Sequence, residues 1–595
     1  MQAIERIDAD VVIVGGGGAG LRAAIAAAEA APGGRIALVS KVPPVRSHTV
    51  AAEGGAAGVV RSDDSLAGHF EDTVSGGDWL CDQDRVEAFI AACTEEMIQL
   101  ERWGCPWSRQ EDGDVHVRYF GGMSTPRSWY AADKTGFHIL HTLFQASLRH
   151  PAIERFDEYF CTELLTDSEA VAGVLAYRIA DSQPVLFRAP AVVMATGGAG
   201  RAYGQNTNAA IVTGDGMGMA YELGVPLRDM EFVQWHPTTL PGSGILITEG
   251  CRGEGGILTN RDGRRYLADY GLGPPEPWPR PKAMELGPRD RLSQAFWQED
   301  QAGRTVETPQ GTAVQLDLRH LGEQRILERL PMITEMARRF AGVDPVTEPI
   351  PVRPSVHYTM GGIPTDGEGA TERPGLFAAG ECASTGIHGA NRLGSNSLAE
   401  ILVYGRAAGE AAMRRAAEHG RPGATAALER RAEEALERDR ALVRREGGAR
   451  LAELRDGMHE AMERGVGIYR NAAGLERACS ELGALRARYR AGVRLDDRSR
   501  FYNTEWLAAL ELGHTLRVAE AMAWSARERL ESRGAHVRDD AYGERDDARF
   551  LVHTLAYAHG DERPSIRHAE VTITRSPPGV RRYGQAGAEA EGEAE

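Results

Sequence analysis

The segment VVIVGGGGAG, at residues 11–20, joins a short apolar run to a glycine turn, and an alanine-rich stretch follows it. Gly15, Gly17 and Gly20 form the pattern G-x-G-x-x-G. The first glycine of this pattern permits a tight turn, the second lets the backbone approach a pyrophosphate, and the third lets helix pack closely on strand. Because Ile36–Val39 resumes as an apolar run, the sequence predicts a βαβ unit that binds a nucleotide.

The end of the second predicted strand departs from the dinucleotide-binding pattern. A carboxylate that binds the ribose of NAD is expected there, about 20 residues after the glycine turn. Ser40 and Lys41 occupy this place instead. The sequence therefore predicts a nucleotide site but disfavours NAD as its ligand.

Two later segments repeat the arrangement of a strand followed by a glycine turn. Ala191–Ala195 runs into Thr196-Gly197-Gly198, and Leu376–Ala379 runs into Gly380-Glu381. Ligands of open α/β sheets bind at the carboxyl ends of such strands. We therefore predict an α/β fold in which these turns meet at one site.

The predicted architecture is a Rossmann-like nucleotide-binding domain with an inserted α+β domain, then a helical domain and a small C-terminal region. Irregular, proline-rich sequence marks the insertion, and strand patterns return near Gly361. The acidic segment Gln585–Glu595 predicts a disordered tail. The predicted ranges are 1–230 and 357–418 for the nucleotide-binding domain, 231–356 for the insertion, 419–545 for the helical domain and 546–595 for the C-terminal region.

Charge limits what the protein binds. A formal net charge of −17 over 595 residues lacks the basic footprint that nucleic acid requires. The same charge repels anionic ligands at long range. A site for an anion must therefore concentrate Arg and His locally.

The cysteines and the apolar runs limit the class of protein. Seven cysteines contain no C-x-x-C pair, which argues against a metal or iron–sulfur site in this chain and favours buried thiols in a reducing compartment. Neither a signal segment nor a run of ~18 apolar residues is evident. We expect a soluble chain that reaches a membrane only through a partner.

Longer motifs accompany the glycine turn. They are Ser47-His48-Thr49-Val50-Ala51-Ala52-Glu53-Gly54-Gly55, Gly197-Gly198-Ala199-Gly200, Thr213-Gly214-Asp215-Gly216, Glu231-Phe232-Val233-Gln234-Trp235-His236-Pro237 and His388-Gly389-Ala390-Asn391-Arg392-Leu393-Gly394-Ser395-Asn396-Ser397. In this order, and along nearly the whole chain, they resemble the flavoprotein subunits of fumarate reductase and succinate dehydrogenase, in particular the quinol-type bacterial enzymes.

The resemblance implies FAD as the cofactor, joined covalently through its 8α-methyl group to His48. A neutral imidazole is a competent nucleophile for that bond. A helix opening at Ser397 and Leu398 and running to about Arg414 would present its positive end to the anionic reduced flavin. The implied cofactor-binding residues are Gly15, Gly17, Gly18, Ala19, Gly20, Ser40, Lys41, Ser47, His48, Thr49, Glu53, Gly54, Gly55, Asp215, Glu381, Arg392, Ser397 and Leu398.

The resemblance also implies a small dicarboxylate substrate, fumarate or succinate. Arg392 would bind one carboxylate, since a planar guanidinium group donates two parallel hydrogen bonds. His236, Thr248 and His357 would complete the substrate site. From the residues alone, the two histidines are equally readable as polar residues of the core.

The motif Gly287-Pro288-Arg289-Asp290 resembles the family's proton-donor segment, which implies that Arg289 is the general acid. Arginine is ordinarily a fixed cation. This role therefore needs neighbouring arginines, which lower the cost of losing the proton, and a relay that restores it. The resemblance implies that Glu249 and Arg252 form this relay; as residues alone, they read as a surface ion pair on a loop.

Glu53 favours one branch of the family, because succinate dehydrogenases usually carry glutamine there. The predicted function is reduction of fumarate to succinate in anaerobic respiration. The resemblance implies that quinol supplies the electrons through an iron–sulfur subunit, which docks on membrane anchor subunits at the cytoplasmic face of the bacterial inner membrane.

Three alternatives stay open. Succinate dehydrogenase runs the same reaction in reverse, and L-aspartate oxidase shares the fold but holds FAD without a covalent bond. A flavin-binding assembly or electron-relay subunit would have no substrate of its own.

Overall fold

The computed structural model describes residues 3–276, 280–421, 425–444, 447–560 and 562–581. The acidic segment Gln585–Glu595, predicted to be disordered, lies outside these residues. In the described ranges, no helix is both long enough and apolar enough to cross a bilayer.

Helices and strands are mixed up to residue 384, and helices dominate from residue 396 to residue 528. The α-helices of the described ranges are α1 (Gly18–Ala30), α2 (Leu66–Gly76), α3 (Gln83–Trp103), α4 (Thr135–Ser147), α5 (Asp215–Glu222), α6 (Gly250–Gly253), α7 (Arg289–Gln301), α8 (Glu323–Arg329), α9 (Pro331–Met336), α10 (Asn396–His419), α11 (Ala426–Arg444), α12 (Leu451–Gly465), α13 (Ala472–Ala491), α14 (Thr504–Glu528) and α15 (Asp547–Phe550). The strands are β1 (Glu5–Asp8), β2 (Val11–Val14), β3 (Ile36–Ser40), β4 (Ala56–Ala57), β5 (Val117–Arg118), β6 (Ser128–Trp129), β7 (Ile153–Asp157), β8 (Tyr159–Asp167), β9 (Ala170–Arg178), β10 (Gln183–Arg188), β11 (Ala191–Met194), β12 (Leu227–Arg228), β13 (Val233–Thr239), β14 (Ile257–Thr259), β15 (Val306–Thr308), β16 (Gly311–Asp317), β17 (Ile350–Thr359), β18 (Ile363–Pro364), β19 (Leu376–Ala378), β20 (Ala383–Ser384), β21 (Ala449–Arg450), β22 (Tyr469–Arg470), β23 (Val493–Arg494), β24 (Val537–Arg538), β25 (Val552–His559) and β26 (Glu562–Glu570).

A five-stranded parallel sheet in the order β19-β11-β2-β3-β7 forms the nucleotide-binding part. Strands β2, β3 and β11 are buried along their whole length. A parallel sheet covered on both faces reads as continuous apolar runs, which is why its strands can be predicted from sequence. The predicted βαβ unit is confirmed as β2, α1 and β3, and β11 and β19 each end one residue earlier than predicted.

Helices α1 and α10 lie in close contact because both are rich in Gly and Ala. A Cβ atom at Gly405 would lie 2.8 Å from the carbonyl oxygen of Ala19, and one at Gly409 would lie 2.2 Å from that of Ala23. Helix α10 begins one residue before the predicted Ser397 and ends at His419 rather than near Arg414. The prediction was too short because the buried face continues to Ala416, beyond Arg414, and the helix stops only where Gly420 adopts φ +67°.

The inserted region has a hydrophobic core of its own, built from buried side chains between Leu240 and Val352. Strands β13, β17, β16 and β14 pair in that order as an antiparallel sheet, and β15 pairs with β16. The pairing of Val233 with Thr359 places the two ends of the insertion side by side. Strand β13 carries His236 and β17 carries His357, so strand pairing brings these two residues together.

The helices after residue 420 pack as a group, and a C-terminal hairpin returns to the nucleotide-binding part. Gly448 adopts φ +111°, and a Cβ atom there would lie 2.4 Å from the carbonyl oxygen of Gly492. Strands β25 and β26 form the hairpin, and β25 pairs with β12.

A buried charge cluster fastens this hairpin. His553 on β25 lies 2.6 Å from a carboxylate oxygen of Asp229 and 3.2 Å from one of Asp82. Burial opposes the charge of the imidazole, but the carboxylates of Asp229 and Asp82 raise the pKa of His553 to about 9. The histidine is therefore a cation at neutral pH and holds the hairpin to two carboxylates.

Replacement of His553 by Gln should change the pH dependence of stability. The folded state binds this proton more tightly than the unfolded chain, whose histidine pKa is about 6.5. The stabilisation, about 3 kcal/mol, is therefore complete below pH ~6.5 and lost as the pH rises through about 9. Calorimetric unfolding should show that the free energy of unfolding falls more steeply over this pH range in the parent than in His553→Gln.

The exposed His568 on β26 offers the matched control. His568→Gln should keep the parent's pH profile, and equal slopes for the parent and His553→Gln would contradict the assignment.

Candidate active site

A cavity of about 420 Å³ opens at the carboxyl ends of β2, β3, β11 and β19. Its position agrees with the convergence of glycine turns expected from the sequence. The predicted cofactor residues that line it are Gly15, Gly17, Gly18, Ala19, Ser40, Lys41, Ser47, His48, Thr49, Glu53, Asp215, Glu381, Ser397 and Leu398.

The remaining predicted cofactor residues, Gly20, Gly54, Gly55 and Arg392, lie outside this lining. A Cβ atom at Gly20 would lie 1.8 Å from the carbonyl oxygen of Gly15, and one at Gly55 would lie 2.6 Å from that of Trp129. One at Gly54 would lie 2.9 Å from the Phe120 ring. These glycines therefore permit the close packing that shapes the cavity from behind.

Lys41 organises one end of the cavity. Its Nζ donates to the carboxylate of Asp215, to Glu511 Oε1 at 2.8 Å and to Thr213 Oγ1 at 3.0 Å. Lys41 thus holds the carboxylate of Asp215 near the end of β3, where the sequence itself has Ser40 and Lys41. Glu511 lies on α14, 470 residues away in the chain, and sequence reasoning missed it.

His48 lies in a 3₁₀ turn at the cavity wall. Its Nδ1 accepts from the backbone N–H of Ala209 at 3.3 Å, and its Nε2 lies 3.3 Å from the side-chain amide of Asn208. Burial lowers the pKa of His48 to about 4. The imidazole is therefore neutral at physiological pH and nucleophilic.

Three buried side-chain oxygens on the cavity wall have no hydrogen-bond partner in the described chain: Ser47 Oγ, Glu53 Oε2 and Thr196 Oγ1. Burial, and then the nearby Asp133, raise the pKa of Glu53 well above its usual range. Buried polar atoms normally have partners. This cavity, with its glycine turn at a helix N-terminus, fits a polar ligand that carries phosphates and hydroxyls.

Two guanidinium groups meet on one amide oxygen beside this cavity. Arg289 Nη1 donates to Gln234 Oε1 at 3.0 Å, and Arg392 Nη2 donates to the same oxygen at 3.2 Å. Gln234 Nε2 donates in turn to Asn391 Oδ1 and to the carbonyl of Arg392, at 2.9 Å and 2.8 Å. The amide of Gln234 is fixed by these bonds, and it holds two cations together without neutralising them.

Glu249 lies between Arg289 and Arg252. Arg289 donates to Glu249 Oε2 through Nε at 2.9 Å, and Arg252 Nη2 lies 3.5 Å from Oε1. The side chains of Glu249 and Arg252 are fully buried, so a surface ion pair is excluded. Burial alone would raise the pKa of Glu249, but Arg289 and Arg252 lower it. The three groups form a continuous chain of salt bridges.

His236 and His357 stand next to this chain, with ring centroids 5.0 Å apart. Burial, and then the Arg289 guanidinium group, lower both histidine pKa values well below the usual range. Both imidazoles are therefore neutral. Because His357 also lines the cavity, it connects the arginine groups to the cofactor space. Thr248 is buried nearby, at the start of the segment that leads into α6.

The sequence analysis did not identify Gln234 or Tyr358 as contacts of Arg392. The ring of Tyr358 lies 4.2 Å below its guanidinium group, and the Tyr358 hydroxyl donates to Glu400 at 2.7 Å. Gln234 stands inside a motif already quoted, so that motif was a usable signal. No spacing or composition marks Tyr358.

Comparison with known proteins agrees with this geometry. A family model described as an FAD binding domain matches residues 10–398, and one described as the fumarate reductase flavoprotein C-terminus matches residues 455–583. The fumarate reductase flavoprotein subunit of Escherichia coli is 58% identical over 98% of this chain and 97% of its own length. The chain belongs to the fumarate reductase flavoprotein family.

Other members of the family are similar to different degrees. A solved quinol-fumarate reductase with menaquinol molecules has a TM-score of 0.94 at 58% identity and covers 97% of this chain and 100% of that one. The succinate dehydrogenase flavoprotein subunit of Rickettsia bellii is 41% identical over 95% of each chain. The chain is thus an FAD-dependent oxidoreductase, more similar to these fumarate reductases than to this succinate dehydrogenase.

Membership of the family fits the cavity. The turn from Gly15 to Gly20 stands at the N-terminus of α1, where phosphates bind well. FAD carries a pyrophosphate, which suits the glycine turn, and hydroxyl groups, which suit the unpartnered oxygens of Ser47 and Glu53. The predictions of an FAD cofactor and of this fold class are confirmed.

Replacement of Gly20 by Ala should weaken FAD binding, because the new methyl group would collide with the turn at Gly15. Overpacking of this kind costs about 1–3 kcal/mol, so we expect FAD affinity to fall roughly 10- to 100-fold. Because a covalent bond to His48 would retain the flavin in any case, the variant and its control are made in a His48→Ser background, and the measurement is the flavin-to-protein absorbance ratio after dialysis.

Gly33, which has no atom within 4 Å of an added Cβ, provides the control. Gly33→Ala should retain FAD, and full retention by Gly20→Ala would refute the packing role.

Proposed function

We propose that this chain is the catalytic flavoprotein subunit of a quinol-type fumarate reductase, which reduces fumarate to succinate. The observation that carries the proposal is the pair of guanidinium groups on Gln234, next to two neutral histidines at the cofactor cavity. A dianion that enters a net-acidic protein needs such a local positive field.

The substrate would be held at both ends. Burial and the neighbouring Arg289 lower the pKa of Arg392 to about 10, so Arg392 is still a cation at neutral pH. Its Nε has no partner among the described residues and could donate to a carboxylate. His236, Thr248 and His357 would bind the other carboxylate through neutral donors.

FAD, when bound, supplies the two-electron chemistry that reduces an alkene. Arg289 would donate the proton that one of the two alkene carbons takes up. Its Nε is held by Glu249 and its Nη1 points to Gln234 beside Arg392. Arg252, on the far side of Glu249, would complete the path that returns the proton.

We further propose that His48 carries the flavin through a covalent bond. Support comes from its place on the cavity wall and from its neutral, nucleophilic state. The proposed cofactor set is the one predicted from the sequence, in which Gly20, Gly54 and Gly55 act through packing and Arg392 lies behind Tyr358.

The proposed division of the chain assigns residues 1–230 and 357–418 to FAD binding, 231–356 to a capping domain, 419–545 to a helical domain and 546–595 to the C-terminal region. The insertion's own core, and its attachment through β13 and β17, support this division. Met332 and Met336 from the insertion line the cavity, so closure of this part would exclude water.

Electrons would come from a partner. All seven cysteines are free and buried, with no C-x-x-C pair among them. We propose an iron–sulfur subunit that docks on membrane anchor subunits, with the complex at the cytoplasmic face of a bacterial inner membrane and quinol as the donor. The similarity to a solved quinol-fumarate reductase supports this assembly.

The proposed direction is fumarate reduction, which Glu53 at the cavity favours over succinate oxidation. The test is the ratio of the two rates in the assembled complex with a defined quinone. A ratio strongly in favour of oxidation would make succinate dehydrogenase the better description. Binding of fumarate to the isolated chain would favour fumarate reductase or succinate dehydrogenase over an assembly subunit, which has no substrate of its own.

Replacement of His48 by Ser should release the flavin. After acid precipitation, the parent should keep a yellow, fluorescent pellet, whereas His48→Ser should leave its FAD in the supernatant. His419, exposed at the end of α10, provides the control. Flavin in the parent supernatant would contradict the proposed covalent bond and would make L-aspartate oxidase the better description of the chain.

Replacement of Arg289 by Gln should stop turnover while FAD stays in place, because general acid catalysis contributes about 10²- to 10⁴-fold. Arg289→Lys should have nearly as low a turnover rate, since lysine cannot donate to Glu249 and Gln234 at the same time. Arg291, exposed on the same helix, offers the matched control Arg291→Gln. Substantial fumarate reduction by Arg289→Gln would sink the assignment.

A further inference from the structure

The last described residues, Thr572–Arg581, run across the nucleotide-binding part and are held there by one buried side chain. Gln83 Oε1 accepts from the backbone N–H groups of Thr574, Arg575 and Ser576, each at 3.0 Å. Its Nε2 donates to the carbonyl of Ser576 at 2.6 Å. The course of this C-terminal segment is therefore fixed rather than loosely adsorbed.

Further contacts fix the end of the segment. Trp79 Nε1 donates to Ser576 Oγ at 3.2 Å, and Arg545 Nη2 donates to the carbonyl of Gly579 at 2.6 Å. A Cβ atom at Gly579 would lie 3.1 Å from the Trp79 ring. The chain is thus anchored two residues before Arg581.

Arg581 then contacts the inserted region. Its Nη1 donates to Asp290 Oδ2 at 2.6 Å and its Nη2 to Oδ1 at 3.1 Å. The two side chains are only 12% and 1% exposed. A bidentate pair with this little solvent fixes both distance and direction.

Asp290 is the second residue of α7, directly after Arg289. We infer that Arg581 is a positioning residue: by pairing with Asp290 it holds the first turn of α7, and with it the Arg289 guanidinium group, against Glu249 and Gln234. This inference rests on the proposed function, in which Arg289 donates the proton.

The first turn of α7 is the part that should respond. Its N–H groups lack partners within the helix, and a buried carboxylate that loses its cation is left uncompensated. Two turns later, the ring centroids of Trp297 and Tyr469 lie 4.3 Å apart, with the ring planes tilted by 31°. Loss of Arg581 should therefore displace the start of α7 without releasing the rest of the helix.

The experiment compares Arg581→Gln, Arg581→Lys and Arg575→Gln in the full-length, FAD-loaded chain, with fumarate and an artificial reductant. Arg575 lies in the same segment over the Phe70 ring, 3.8 Å from its centroid, and serves as the matched control. Misplaced catalytic groups cost up to about 10²-fold, so we expect kcat of Arg581→Gln to fall roughly 10- to 100-fold with KM little changed. Arg581→Lys should recover part of the loss, and Arg575→Gln should match the parent.

Two comparisons separate positioning from general damage. In an Asp290→Asn background, Arg581→Gln should cause little further loss of kcat, because the ion pair through which Arg581 acts on α7 is already gone. Hydrogen exchange should accelerate in the first turn of α7 in Arg581→Gln and stay unchanged around Trp297.

Parent-like kcat in Arg581→Gln, an equal loss in Arg575→Gln, or additive losses in the double variant would each overturn the inference. So would unchanged exchange at the start of α7. If the parent itself does not reduce fumarate, the proposed function fails, and the exchange measurement still decides whether Arg581 holds this turn.

Discussion

Two guanidinium groups on a single amide oxygen are the contact on which the candidate site depends. Cations of like charge repel each other, most strongly where water is excluded, so Arg289 and Arg392 need a fixed acceptor between them. Gln234 is that acceptor, and it is held by Asn391 and by the backbone of Arg392. A carboxylate in its place would cancel the positive field that an anionic substrate requires.

The surrounding fold supplies the remaining compensation. Glu249 neutralises the side of Arg289 that faces away from Arg392, and the Tyr358 ring covers the guanidinium group of Arg392 without adding a full charge. The field is therefore concentrated where the two arginines and two histidines converge. This arrangement reconciles a chain of net charge −17 with a dianionic substrate.

Sequence reasoning reached those parts of the structure that local pattern dictates. Buried parallel strands read as apolar runs, and glycine turns follow them, so β2, α1 and β3 could be predicted. Motif resemblance nominated His236 and His357 separately. Their proximity depends on the pairing of β13 with β17, about 120 residues apart, and no local pattern encodes that register. Glu511 and Arg581 were out of reach for the same reason, since their partners lie far away in the chain.

The tight packing of α1 on α10 gives the nucleotide-binding part and the insertion different roles. Both helices begin at the cavity, and backbone contact at Gly405 and Gly409 leaves no room for one to slide on the other. The part of the cavity wall that these two helices form is therefore closely packed. Under the proposed function, entry of substrate and exit of product would use movement of the insertion, so natural variation in these two helices should alter cofactor retention before it alters turnover.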